Sequence, residues 1–312
     1  MEDLMASRDF RELLANAWAA KKFVCVGLDT DFEKIPESFK AKNHHSSIGQ
    51  VIYAYNEKII EATYDLVGAY KINLAFYSEH GRSGTIALRN TVMYILARAP
   101  HALIILDAKY ADIGNTNKGY VRTAFNVFHA DAVTVNPYFG EEALGPFLAH
   151  KNKLIIILCR TSNSGGREFQ DRLIALGDHE LEVICKNASL KKSLFGEEAP
   201  HHVHLYEYVA LRVWRYWNNY GNCGLVVGAT CPNELERVRQ IVPGVPLLVP
   251  GIGAQGAEIE IVVRGAITNE KQGALFNVSR SVIFASNDEN FASAARAEVM
   301  RLNSIIGRVL EC

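Results

Sequence analysis

Nothing in this chain marks it for a membrane, a nucleic acid or an oxidising compartment. It has no run of 18 apolar residues, so no membrane-spanning helix is expected. Its charges nearly cancel. The 33 Lys and Arg against 34 Asp and Glu leave −1, too weak a field to gather DNA, RNA or an anionic bilayer. The six cysteines, Cys25, Cys159, Cys185, Cys223, Cys231 and Cys312, form no Cys-x-x-Cys pair. Cys25 and Cys159 lie in apolar runs, where a reduced, buried thiol is the ordinary reading. No disulfide framework is expected, as in a reducing cytoplasm. The opening Met-Glu-Asp-Leu carries acids where a signal peptide needs bases, and the closing Val-Leu-Glu-Cys is no retention, peroxisomal or prenylation signal. A cytoplasmic location is therefore the expectation. No Gly-x-Gly-x-x-Gly follows the first apolar run, there is no Walker A sequence, and His and Cys are not placed for a nucleophilic triad. No cofactor is expected.

What the chain does have is repetition. Short apolar runs at 23–28, 69–76, 102–108, 132–136, 154–158, 224–227, 246–249 and 275–278 are rich in Val, Ile and Leu, as parallel strands buried on both faces are. Amphipathic stretches such as 51–66, 81–97, 206–218 and 233–242 lie between them. A helix at 10–20 precedes the first run and one at 290–309 closes the chain. Eight β-α repeats with no second composition regime predict a single (β/α)₈ TIM barrel over residues 1–312, with an N-terminal helix and an insertion after strand five. A doubly wound open sheet is the alternative. Segments 31–47 and 161–204 exceed ordinary loop length. The second contains His179, Cys185, His201, His202 and His204, but their spacing fits no standard zinc pattern, and a solvated polar insertion is the preferred reading.

In a barrel, function gathers at the C-terminal strand ends. The third run leads into Leu-Asp-Ala-Lys-Tyr-Ala-Asp-Ile-Gly-Asn-Thr at 106–116, with Asp107, Lys109 and Asp112 within six positions. Strand alternation puts Asp107 and Lys109 on one face. Lys71 sits inside the second run, where an ammonium is costly unless neutralised. Together they predict an alternating Lys–Asp–Lys–Asp array of Lys71, Asp107, Lys109 and Asp112 in which flanking carboxylates favour the charged lysines. A protonated lysine can donate to a developing carbanion, and a fixed aspartate can crowd an anionic substrate group whose loss as CO₂ relieves the repulsion. A plain ion pair at a strand end is the bland alternative. The seventh strand runs into Pro250-Gly251-Ile252-Gly253-Ala254-Gln255-Gly256 and the eighth into Ser279-Arg280. Glycines let backbone N–H groups approach an anion, and an arginine on the next strand end adds a bidentate partner, so a phosphate site is expected there.

These residues resemble the orotidine 5′-phosphate decarboxylase family, in its longer subfamily. Asp-x-Lys-x-x-Asp-Ile-Gly-Asn-Thr at 107–116 is similar to the family signature, and Ala-Tyr-Lys-x-Asn-Leu-Ala-Phe-Tyr at 69–77 to its second strand. Val-Thr-Val-Asn-Pro-Tyr at 133–138, Cys-Arg-Thr-Ser-Asn at 159–163, Val-Val-Gly-Ala-Thr at 226–230 and the stretch 248–256 fit as well. The Asp-x-Lys-x-x-Asp core alone is less specific, because related sugar-phosphate lyases share it. The resemblance implies decarboxylation of orotidine 5′-phosphate to UMP, the last step of de novo UMP synthesis, without a cofactor. It implies that Lys71, Asp107, Lys109 and Asp112 form the charged tetrad, with Lys109 protonating C6 and Asp107 facing the substrate carboxylate. Asp29 is expected on the ribose hydroxyls. Thr161 belongs to the matched lid segment, and Ser162 is expected on the pyrimidine edge. Pro250, Gln255 and Arg280 are expected on the phosphate side. Asn73 belongs to the motif with a less defined role. Asp112, Ile113 and Thr116 are implied to reach a neighbouring subunit's site, hence a homodimer with shared active sites. A fusion to orotate phosphoribosyltransferase occurs in some relatives. Two departures stand out: Ser164 follows Asn163 where many relatives have proline, and Ser279 precedes Arg280 where many have glycine. Two rival readings remain: a Mg²⁺-dependent sugar-phosphate lyase or synthase on the same barrel, and a catalytically silent UMP-binding barrel.

Overall fold

In the computed structural model, which describes residues 8–195, 202–252 and 256–311, the apolar runs become strands β1 (Val24–Gly27), β2 (Ala69–Asn73), β3 (Leu103–Tyr110), β4 (Ala132–Val135), β5 (Leu154–Arg160), β8 (Cys223–Val227), β9 (Leu247–Pro250) and β10 (Ala274–Val278). They close a parallel barrel in the order β1-β10-β9-β8-β5-β4-β3-β2. The expected (β/α)₈ barrel is the observed one, and the open sheet is excluded by the β1–β10 pairing. The long segment after β5 is not structureless. It holds the antiparallel pair β6 (Leu173–Ala175) and β7 (His202–His204), with helices Asp178–Lys186 and Ala188–Phe195 between them. The other long segment carries a 3₁₀ turn at Phe32–Lys34 and a short helix at Glu37–Lys42.

Two apolar layers follow from strands buried on both faces. One fills the barrel interior with Cys25, Ala69, Leu103, Ile105, Ala132, Leu154, Ile156, Val226, Leu248 and Leu275. The N-terminal helix Phe10–Ala19 plugs its lower end with Phe10 and Leu14, and its Trp18 indole donates to the Ala274 carbonyl at 2.8 Å. The other, larger layer lies between the strands and the outer helices. Among the described residues no helix is long and apolar enough to cross a membrane.

The lower end is tied by a buried charge. Asp131 is fully inaccessible and accepts from Arg8 Nε at 2.9 Å, from Arg8 Nη2 at 2.6 Å and from the Ile104 backbone N–H at 3.0 Å. Removing one partner of such a pair leaves an uncompensated charge in a low dielectric. Asp131→Ala is expected to lower the unfolding free energy by about 3 kcal/mol, read as a shift in the urea midpoint. A shift equivalent to less than about 1 kcal/mol, the value of an exposed pair, would mean that this tie does not hold the barrel floor.

Candidate active site

The C-terminal strand ends open onto a cavity of about 950 Å³. Its polar wall is built strand by strand. Asp29 follows β1, Lys71 comes from β2, Asp107 and Lys109 from β3, and Thr134 from β4. The barrel register puts Lys71 beside Gly27 on one side and Ile105 on the other, so its ammonium reaches carboxylates of both neighbouring strands. Lys71 Nζ donates to Asp29 Oδ1 and to Asp107 Oδ2, each at 3.0 Å. Lys109 Nζ donates to Asp107 Oδ1 at 2.7 Å. The result is a continuous chain, Asp29–Lys71–Asp107–Lys109.

Asp107 is 8% exposed, and three donors hold it. The third is the Thr134 hydroxyl at 2.8 Å, whose oxygen in turn accepts the Lys109 backbone N–H at 2.9 Å. Burial pushes the Asp107 carboxyl up, but Lys71 and Lys109 outweigh it and hold the group down at about 2. Burial likewise opposes the charged form of Lys71, and the Asp29 and Asp107 carboxylates overcome it, raising its pKa above the ordinary lysine value. Lys109 reaches its position through a break in the ladder. The β3–β4 register shifts between Leu106 and Tyr110, and Lys109 has φ +49°, left-handed backbone for a non-glycine residue. Strand alternation alone therefore does not account for the Asp107–Lys109 contact. Below the array lies Cys25, fully buried, its thiol pushed by burial up to about 12 and so uncharged.

The rest of the cavity is set by loops after β5, β9 and β10. Thr161 and Ser162 line it, as do Pro250, Gly251 and Arg280. Ser162 can approach because position 228 is glycine: a Cβ there would lie 2.8 Å from Ser162 N, Cα and Cβ. Gly251 has φ +91°, a conformation that a side chain would strain. Gln170 accepts the Thr161 backbone N–H at 2.8 Å, which folds the insertion back onto the end of β5.

Four expected residues stand apart from this cavity. Asn73 turns its side chain to cap the Ala75 N–H at 3.1 Å. Asp112 accepts the following Ile113 N–H at 2.7 Å, while Ile113 and Thr116 are exposed. In the single chain the fourth member of the charged array is Asp29, not Asp112. Gln255 lies outside the described residues. Thr134 and Gln170 belong to the site without having been singled out for it, and Ser279, noted above beside Arg280, donates to Asp29. Thr134 is a lone hydroxyl in an apolar run, and Gln170 sits in a segment that periodicity does not read. Among the described residues no cluster of three or more His, Cys, Asp or Glu could hold a metal ion. Of the insertion's histidines, His201 lies outside the described residues.

The depressed Asp107 carboxyl has a stability consequence. It contributes stability above the unfolded value of about 3.9, and that contribution is lost as pH falls through the folded value of about 2. Urea midpoints followed from about pH 5 down to about pH 2 are expected to fall more steeply for the unaltered chain than for Asp107→Asn. Parallel curves would show that Asp107 is not held ionised by its neighbours.

Comparison with known proteins shows the family. The model of the orotidine 5′-phosphate decarboxylase / HUMPS family matches residues 22–295. An orotidine 5′-phosphate decarboxylase of Cellvibrio japonicus is 40% identical over 298 residues, 95% of this chain and 97% of that protein. The solved OMP decarboxylase of Leishmania donovani superposes with TM-score 0.73 at 30% identity, covering 96% of this chain and 99% of that one. A UMP synthase of the same organism superposes with TM-score 0.77 at 32% identity, covering 97% of this chain but 57% of that one. With its barrel, its strand-end charges and these matches over most of its length, the chain belongs to the orotidine 5′-phosphate decarboxylase / HUMPS family.

Proposed function

We propose that the chain decarboxylates orotidine 5′-phosphate to UMP, and that its own side chains supply the electrostatics of the reaction. The observation that carries this reading is the Asp29–Lys71–Asp107–Lys109 chain in the wall of the cavity, two ammoniums and two carboxylates fixed before any ligand arrives. The C6–carboxylate bond breaks, CO₂ leaves, and the electron pair stays on C6. Lys109 Nζ, half-exposed toward the cavity, stabilises that charge and passes a proton to C6. Lys109 then recovers its proton from solvent. Asp107, held ionised, faces the departing carboxylate and disfavours the bound substrate relative to the transition state.

The remaining residues bind. Asp29 and Lys71 meet the ribose, Ser162 meets the pyrimidine edge, and Pro250, Gln255 and Arg280 form the phosphate side. Thr161 with its Gln170 clasp anchors the segment that closes over the ligand. The tetrad is completed across a homodimer. Asp112, Ile113 and Thr116 do not line their own cavity, and Ile113 (59% exposed), Tyr138 (84%) and Phe139 (55%) form exposed apolar surface on the loops after β3 and β4. Such surface beside a carboxylate that does not line its own cavity supports delivery of Asp112 into a partner's site. A cytoplasmic enzyme acting beside an orotate phosphoribosyltransferase, fused or separate, completes the reading.

Lys109→Ala is expected to reduce kcat by at least about 10⁴-fold while still unfolding cooperatively, at a lowered urea midpoint because Asp107 loses one of its two cationic partners; near-normal kcat would remove Lys109 from the donor role. Mixing inactive Lys109→Ala with inactive Asp112→Ala subunits should restore roughly a quarter of native activity, since half of randomly paired dimers are mixed and each mixed dimer has one intact site. A mixture that stays inactive would contradict shared sites.

A further inference from the structure

We infer that Ser279 is a positioning residue for ribose recognition, acting through Asp29, and that Gly27 is the small residue that admits its hydroxyl. The inference rests on the reading above that Asp29 meets the ribose.

Asp29 lines the cavity with its side chain 17% exposed, and both of its oxygens are already engaged. Lys71 Nζ donates to Oδ1 at 3.0 Å, and Ser279 Oγ donates to Oδ2 at 2.8 Å. A carboxylate offers about four acceptor sites, so one remains on each oxygen. Held from both sides, the carboxylate cannot turn about its Cβ–Cγ bond without losing a charge-assisted bond. A pair of adjacent free acceptor sites in a fixed plane suits a vicinal diol, which donates one O–H to each oxygen. A carboxylate held by Lys71 alone keeps its charge but not that orientation.

Gly27 gives the arrangement its second leg. It is the last residue of β1, and a Cβ built on it would lie 1.9 Å from Ser279 Oγ, 3.0 Å from Ser279 Cβ and 3.1 Å from Asn277 Nδ2. Any side chain at 27 therefore displaces the hydroxyl from Asp29. A glycine at 279 would leave that space unfilled and Asp29 Oδ2 without its protein donor. Gly27, the last residue of β1, and Ser279, the first residue beyond β10, thus form a matched pair brought together by the β1–β10 pairing.

The test measures kcat and KM for orotidine 5′-phosphate and for its 2′-deoxy and 3′-deoxy analogues. Ser279→Ala, which removes only the hydroxyl, is expected to lower kcat/KM for the full substrate about tenfold, mainly through KM. The selectivity for the full substrate over the deoxy analogue should fall by a similar factor, since a loosened Asp29 no longer distinguishes the diol. Gly27→Ala should reproduce both effects, and Gly27→Ala combined with Ser279→Gly should be no worse than Ser279→Gly alone. Unchanged selectivity in Ser279→Ala, or additive losses in the double variant, would overturn the inference. Should the unaltered chain turn over no orotidine 5′-phosphate, the functional reading fails. Calorimetric affinities for UMP and 2′-deoxy-UMP, compared between the unaltered chain and Ser279→Ala, then still decide the role of Ser279.

Discussion

The structure turns on the neutralisation of one buried carboxylate. Asp107 sits where a charge has little water to solvate it, and its ionised form survives because Lys71, Lys109 and Thr134 all point at it. Buried ion pairs of this kind add little net stability, yet breaking one costs about 3–5 kcal/mol because it strands the remaining charge. Each member of the Asp29–Lys71–Asp107–Lys109 chain thus depends on its neighbour. The array is rigid before ligand binds, and rigidity of charge is what an electrostatic mechanism requires.

The barrel supplies that rigidity by dividing its two ends. At the lower end, the helix Phe10–Ala19 closes the interior and Asp131 fastens the first described residue, Arg8, to the floor. The Asp131 charge there is fully enclosed and satisfied. At the upper end, charge is paired but left partly open: the Asp29 side chain is 17% exposed and that of Lys109 48%. The same parallel register that buries the strands on both faces brings Asp29, Lys71 and Asp107 from three successive strands within hydrogen-bonding reach. Glycine makes the close approach elsewhere, at 228 under Ser162, and at 251 it permits a left-handed backbone.

Much of this was legible in the sequence because the costs are local. A lysine within an apolar strand and two carboxylates at a strand end are expensive, so Lys71, Asp107 and Lys109 announced a site. The apolar runs announced the strands. What depends on neighbours far along the chain was not legible. Asp29 as the partner of Lys71 requires the β1–β2 register, and Thr134 becomes an Asp107 donor only through β3–β4 pairing. Asp112 reads as a fourth charge by spacing, but β3 ends at Tyr110, and within the single chain Asp112 accepts the Ile113 N–H instead of joining the array. The segment after β5 lacks strong periodicity, since β6 and β7 are three residues each and β6 has no buried residue, so its antiparallel pair and helices emerged only in the structure.

If these fixed charges are sufficient, no metal ion is required for turnover. The most direct test follows the loss of orotate absorbance with the purified chain in excess EDTA, and again after Mg²⁺ is restored. Equal rates of conversion to UMP and CO₂ in both conditions are predicted. Turnover that appears only with Mg²⁺ would contradict the account and assign the electrostatic role to a metal instead of to Lys71 and Lys109.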